Sequence, residues 1–370
     1  MKYVEYGKTG KKVSVIGFGG MRFRKEDYEE NFAKSAQVVR RASELGINYF
    51  DTAPFYCDDK SELIMGEAFK DMPNPFYVST KSSLRHEDTA DKVRERIEKS
   101  LKRMNVDKIN FFHMWCILNL EQYREIMKPG GPYEGALKAK EEGLIDHIVF
   151  STHCNGEEIE TIVNEGHFEG VTLGYNATNF AFRQRGIKAA YEKGLGVVTM
   201  NPLGGGIIPE NPEYYSFIKE NEEDTLVQAA LKFNVSHKEI TIALPGMGTI
   251  EEVEENVKAG EKFSIMTDEK LEDMSAKLHQ SLDALCTGCQ YCEGCPKDID
   301  IAKFMDAYNM YILKKKDKAV SGRLKGHWGV DHKTAEECIA CGKCEELCTQ
   351  HLPIIERLEY ISNIEVEDKK

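Results

Sequence analysis

The sequence predicts an α/β protein in two parts. Residues 1–262 form a closed (β/α)8 barrel of the TIM type, and residues 263–370 form an α-helical domain. Two observations lead there. Short apolar, β-rich runs alternate eight times with amphipathic helical stretches, the pattern of a parallel barrel. Eight of the eleven cysteines then fall in two tight runs after residue 285, where that alternation has stopped.

The expected strands are Val13–Gly19, Tyr49–Ala53, Phe76–Lys81, Lys108–Trp115, His147–His153, Val171–Asn176, Val197–Pro202 and Ile240–Pro245. Between them lie helical stretches such as Ala33–Leu45, Thr89–Met104, Arg183–Lys193 and Asp224–Asn234. An open doubly wound sheet is the competing architecture. The first strand ends in Gly17-Phe18-Gly19-Gly20, without the Gly-x-Gly-x-x-Gly spacing of a dinucleotide fingerprint. After Lys262 the spacing predicts helices over Met266–Leu285 and Ile299–Leu313. The basic stretch with Lys314, Lys315, Lys316, Arg323 and Lys325 reads as a solvated loop, and it can dock an acidic electron carrier.

Charge excludes some partners. The chain of 370 residues carries 62 acidic and 49 basic side chains, a net charge of −13. Nucleic acid and anionic membrane both require clustered cations, so neither is an expected partner. Met1–Gly7 holds no apolar leader and no run of about 18 apolar residues occurs, so a soluble, cytoplasmic protein is expected.

In such a chain, close-set cysteines point to metal rather than disulfides. The first run is Cys286-x-x-Cys289-x-x-Cys292-x-x-Cys295, and the second is Cys338-x-x-Cys341-x-x-Cys344-x-x-x-Cys348. Two-residue gaps let a tight loop offer three thiolates to three corners of one cubane, with the fourth supplied from a distance, as in two-cluster bacterial ferredoxins. On that scheme one [4Fe–4S] cluster takes Cys286, Cys289, Cys292 and Cys348. The other takes Cys338, Cys341, Cys344 and Cys295. Structural zinc needs only paired Cys-x-x-Cys knuckles, and the third cysteine in each run makes it the poorer fit. The first run is one residue short of ferredoxin spacing, and Thr349 stands where proline usually follows the second.

The stretch Asn48-Tyr49-Phe50-Asp51-Thr52-Ala53-Pro54-Phe55-Tyr56 resembles the aldo/keto reductases, and the whole chain resembles members carrying a C-terminal, ferredoxin-like 4Fe–4S domain. The resemblance implies catalytic roles for Asp51, Tyr56 and Lys81. A tyrosine hydroxyl would protonate a carbonyl oxygen as hydride arrives from a reduced nicotinamide, with the lysine stabilising the phenolate and the aspartate holding the lysine. The family histidine position is Trp115. His113, two residues earlier on the same face and roughly 6–7 Å deeper, is the candidate replacement, with His153 as its rival.

The same resemblance implies cofactor contacts. Gly19, Gly20, Met21 and Arg22 would border the nicotinamide ribose, Ser151 would hold the carboxamide, and Met200 would cover the ring. Pro202, Leu203, Gly204, Gly205 and Gly206 would wrap the pyrophosphate. Gly246, Glu252, Glu255 and Asn256 would meet the adenosine end. From Gly246 to Asn256 there is no basic residue but there are four glutamates, Glu251, Glu252, Glu254 and Glu255. A 2′-phosphate beside Glu252 would be repelled, so NAD(H) is expected to be favoured over NADP(H). Cys57, Cys116 and Cys154 each follow a strand end and read as small loop residues.

Two functions follow. One is a nicotinamide-dependent reductase of a small-molecule carbonyl, or alcohol dehydrogenase in reverse, whose clusters exchange electrons with a partner or serve structurally. The other is an electron-transfer or redox-sensing protein whose barrel binds nicotinamide but has lost carbonyl reduction.

Overall fold

The computed structural model describes residues 1–281, 285, 286, 288, 291–348 and 351–365. Two compact units are present. The first comprises Met1–Ala177, Arg185–Pro209 and Ile218–Met266; the second comprises Thr178–Gln184, Glu210–Phe217 and Thr267–Lys370.

The first unit opens with an antiparallel hairpin, Tyr3–Glu5 (β1) and Lys12–Ser14 (β2). Eight parallel strands follow: Phe18–Gly19 (β3), Tyr49–Asp51 (β4), Tyr77–Ser83 (β5), Ile109–Ile117 (β6), Ile145–Thr152 (β7), Gly170–Gly174 (β8), Gly196–Met200 (β9) and Ile242–Leu244 (β10). They pair in chain order. Parallel bridges Ile16↔Ala243 and Gly19↔Gly246 join β10 back to the start, so the barrel closes. The predicted first strand, Val13–Gly19, is thus two elements. Lys12–Ser14 turns away to pair with β1, Phe18–Gly19 pairs with β4, and Ile16 bridges β10.

The hairpin floors the barrel. Tyr6 is fully buried, its ring 4.2 Å from that of Phe111, within a core of Val13, Tyr49, Val149, Val198 and Ile242. That ring fits because β8 and β9 begin with glycine. A Cβ on Gly196 would stand 2.1 Å from Tyr6 Cε1.

The helices obey the same local rules. Ala90–Met104 buries Val93, Ile97, Ser100 and Met104, one stripe at helical spacing. Thr89 accepts from Lys92 N at its start, and Asn105 ends it with φ 52°. Leu226–Val235 begins in a Thr225–Gln228 capping box.

In the second unit, helix Ile301–Lys314 buries Phe304, Met305 and Ala307 with Leu324, Trp328, Leu352, Leu358 and Ile361. The helix before it runs Asp268–Ser281, and residues 282–284, near the end of the expected Met266–Leu285 stretch, lie outside the described residues. The expectation of a basic loop is corrected here. After Lys315, which is left-handed (φ 52°), come helix Asp317–Gly322 and a π-turn Arg323–Trp328. Arg323 donates to Asp306 Oδ2 at 2.7 Å, and the Trp328 indole donates to the same oxygen at 2.6 Å. Lys315, Lys316 and Lys325 stay exposed.

Candidate active site

Asp51 ends β4, opposite Ser79 on β5. Alternation along β5 puts Ser79 and Lys81 on one face, inside the barrel near its C-terminal mouth. The Lys81 ammonium donates to Asp51 Oδ1 (2.7 Å), Asp51 Oδ2 (2.6 Å) and Thr52 O (2.8 Å). Both partners are buried, and a buried ion pair is tolerable only when hydrogen-bonded as fully as this one. The ammonium also lies 5.4 Å from the centre of the Tyr56 ring. Tyr56 itself is half-buried. Burial raises its pKa far above 10, with the Asp51 charge as the next cause.

Tyr56 sits on a strained turn. Phe55, Cys57, Asp58 and Asp59 all have positive φ, between 54° and 69°. Arg103 braces the turn by donating to Asp59, and it also donates to the fully buried Glu62 at 2.9 Å. Left-handed non-glycine residues cluster at functional sites more than elsewhere.

The other expected positions fall as follows. Trp115 is half-buried and meets Tyr56 edge to face, with ring centres 5.9 Å apart. A register shift between Met114 and Ile117 marks a bulge at this point in β6. His113 is fully buried below it. Its Nδ1 is 3.2 Å from Ser79 Oγ and its Nε2 is 2.9 Å from Thr172 Oγ1. Burial first, and then the Lys81 charge, hold it neutral with a pKa well below 6.5. Its place as a substrate-facing replacement for the family histidine does not match this geometry, because both ring nitrogens are already engaged inside the barrel. His153 is half-buried at the end of β7. The Cys57 and Cys154 thiols meet separate backbone carbonyls, Gly20 and Ile117, each at 3.6 Å.

The residues matched to a nicotinamide cofactor lie around the same mouth. Gly19 N donates to Pro245 O and Gly20 N to Asp51 O. Met21 and Arg22 are exposed beside them, and Met200 is half-buried at the end of β9. Ser151 is fully buried, and its hydroxyl has no hydrogen-bond partner among the described residues. An orphaned buried hydroxyl is costly unless a bound group completes it, and a carboxamide there would do so. After Pro202 and Leu203, Gly204, Gly205 and Gly206 take φ of 64°, 71° and 97°, a backbone path suited only to glycine. The residues present therefore fit a dinucleotide.

At the adenosine end, Glu252 Oε2 accepts from Gly248 N at 2.6 Å, Glu255 accepts from Thr225 at 2.7 Å, and Asn256 is buried. Cations reach this segment from elsewhere in the chain. Arg24 lies 3.9 Å from Glu252, Arg41 lies 2.7 Å from Glu254, and the Arg22 side chain packs on Gly246. The acidic segment is thus less negative than its own sequence suggests.

In the second unit, none of the described cysteines is in a disulfide, and Cys289 lies outside the described residues. Cys292 and Cys348 are buried, Cys286, Cys295, Cys338 and Cys344 are partly buried, and Cys341 is exposed. Asn309 clamps the Cys286 backbone at both its N–H and its carbonyl, each at 2.8 Å. Gly288 N and Leu352 N donate to the sulfurs of Cys286 and Cys348, both at 3.4 Å. Cys286, Cys292, Cys295, Cys338, Cys344 and Cys348 all pack on the one core of the second unit. Burial pushes the Cys344 thiol up to about 11, so it keeps its proton until a metal displaces it. This soft thiolate set fits iron–sulfur clusters.

The aldo/keto reductase family profile matches residues 15–278. This chain belongs to the aldo/keto reductase family. A 4Fe-4S dicluster domain matches residues 285–353 of the same oxidoreductase. Among relatives, the L-galactose dehydrogenase of Arabidopsis thaliana is 28% identical over 285 residues, spanning 68% of this aldo/keto reductase and 86% of its own length. The pyridoxine 4-dehydrogenase of Escherichia coli is 23% identical, with 67% and 90% covered. An aldo-keto reductase of Bacillus halodurans, solved in its holo form, superposes with a TM-score of 0.64 at 21% identity, covering 75% of this chain and 96% of its own. A Klebsiella pneumoniae aldo-keto reductase solved with NADPH gives 0.62 at 19% identity, covering 74% and 94%. At such identities the solved structures show the fold alone. No described helix is long and apolar enough to cross a membrane.

Sequence reasoning did not find Ser79, Thr172 or Arg24. The period of two along β5 and β8 could have flagged the first two as inward-facing hydroxyls.

Proposed function

We propose that this chain reduces a small-molecule carbonyl with a reduced nicotinamide cofactor, or oxidises the corresponding alcohol. The observation that carries the reading is the buried Asp51–Lys81 ion pair set beside Tyr56 at the C-terminal mouth of the barrel. When bound, the nicotinamide supplies the hydride. Tyr56, protonated at neutral pH, donates its proton to the carbonyl oxygen. Lys81 places positive charge beside the phenolate that remains, and Asp51 fixes the lysine. Ser151, Met200 and the glycine loop would hold the cofactor.

Tyr56→Phe is the decisive variant. It should lower kcat for carbonyl reduction by at least on the order of a thousandfold while the Kd for reduced cofactor stays within about threefold. Retention of most activity would remove Tyr56 from the mechanism.

The cofactor preference is proposed as modest. Arg24 and Lys34 act on Glu251 only through space, and Glu255 accepts from the neutral Thr225 hydroxyl, so repulsion of a 2′-phosphate still favours NADH. Arg24 and Arg41 offset part of it, which reduces the expected ratio to about tenfold or less. Added salt should narrow the gap, and Arg24→Glu should widen it, in titrations with both cofactors.

The eight cysteines are proposed to bind two [4Fe–4S] clusters in the crossed arrangement, with an electron-carrier protein as the partner. The packing of cysteines from both runs on one core supports ligands being exchanged between the runs. A second reading, nicotinamide-linked electron transfer or redox sensing without carbonyl reduction, draws on Trp115 in the family histidine position and on the engaged ring of His113.

A further inference from the structure

We infer that His113 is a positioning residue, the centre of a one-way hydrogen-bond chain from Thr172 through Ser79 that holds the Asp51 carboxylate in register with Lys81. The inference deepens the proposed function and rests on it for its kinetic part.

The direction of the chain follows from counting protons. Ser79 Oγ lies 2.7 Å from Asp51 Oδ1, and a carboxylate paired with an ammonium can only accept, so the serine proton points to Asp51. A hydroxyl has one proton. Ser79 Oγ can therefore only accept at its other contact, from His113 Nδ1 at 3.2 Å, a ring that the Thr80 carbonyl also holds through a hydrogen bond. A neutral imidazole carries one proton, so Nε2 is a bare acceptor. It takes its hydrogen bond from the Thr172 hydroxyl at 2.9 Å. Thr172, His113 and Ser79 are each no more than 1% exposed, so bulk solvent reaches none of the links. The chain crosses four strands, β8, β6, β5 and β4, and ends on the oxygen that also accepts from Lys81.

The consequence is electrostatic as well as geometric. A protonated imidazole here would add a second cation beside Lys81, whereas a neutral one passes orientation without charge. Asp51 Oδ1 receives two donors and Oδ2 one, so the carboxylate has a single rotamer that satisfies all three. Removing Thr172 leaves Nε2 without a donor, frees the ring to change tautomer, and releases Ser79 from Asp51. The ammonium then loses its fixed position beside Tyr56, a misplacement to which proton transfer is sensitive.

The test uses the full chain, purified without oxygen and labelled with 15N-histidine. The nitrogen shifts of His113, assigned by comparison with His113→Gln, should show Nδ1 protonated and Nε2 bare across pH 6 to 9. Thr172→Val should alter that signature and lower kcat on the order of tenfold, with KM within about twofold. Thr172→Ser, which keeps the donor, should restore both. A wild-type His113 protonated on Nε2, or doubly protonated, would overturn the chain whatever the activity. So would a Thr172→Val variant with unchanged kcat. If no carbonyl is reduced by any form, the proposed function fails, while the nitrogen shifts still decide the chain on their own.

Discussion

Tyr56 keeps its proton because two influences agree. Burial disfavours the phenolate, and the Asp51 charge disfavours it further, so the raised pKa leaves the hydroxyl protonated throughout the neutral range. Carbonyl reduction should therefore show a flat kcat/KM from about pH 6 to 9, with loss only above the ordinary tyrosine value near 10. A basic limb below pH 8, in a profile measured with saturating cofactor, would mean that another group supplies the proton. The turn beside Tyr56 makes a second demand on single residues. Asp58 has φ 55°, where a β-branched side chain costs roughly 1–2 kcal/mol and glycine costs nothing. Asp58→Val should lower thermal stability clearly, and Asp58→Gly should leave it unchanged or raised. Equal melting temperatures for the two would show that the left-handed turn is not maintained.

At the scale of elements, the barrel floor is a fitted contact between a ring and two strands. Gly196→Ala should destabilise the barrel by about 1–3 kcal/mol, because the new methyl overlaps Tyr6 and the backbone around it is fixed by strand pairing. Tyr6→Leu in the Gly196→Ala background should recover part of the loss. A denaturant double-mutant cycle with no coupling between the two sites would contradict the contact. The eight barrel strands were legible in the sequence, since runs such as Lys108–Trp115 and Val197–Pro202 are too apolar to be loops. The split of Val13–Gly19 was not, because a change of pairing partner leaves no trace in side-chain pattern. Arg323 was misread for a similar reason: its partner Asp306 is 17 residues away, and the pair exists only once two helices pack. At the site, the spacing of Asp51, Tyr56 and Lys81 was readable from family likeness. The Thr172–His113–Ser79 chain was not, because hydroxyls on strands look like ordinary β-forming residues until the barrel closes around them.

At the scale of the whole molecule, the chain joins an aldo/keto reductase barrel to a 4Fe-4S dicluster domain. The protein purified without oxygen should contain about eight iron and eight sulfide per chain. Cys341→Ala should halve both, leaving one cluster; stoichiometric zinc without sulfide would replace the cluster assignment altogether. Which reaction the barrel performs is tested most directly by following the hydride itself. The full chain would be given nicotinamide cofactor deuterated at its reducing carbon, together with a panel of aldehydes and ketones, without oxygen. Products would be read by mass spectrometry and the clusters by electron paramagnetic resonance. Carbonyl reduction predicts deuterium on the alcohol carbon, lost in Tyr56→Phe while cofactor binding persists. Oxidation of the cofactor with reduced clusters, the label released to water and no deuterated alcohol, would contradict it.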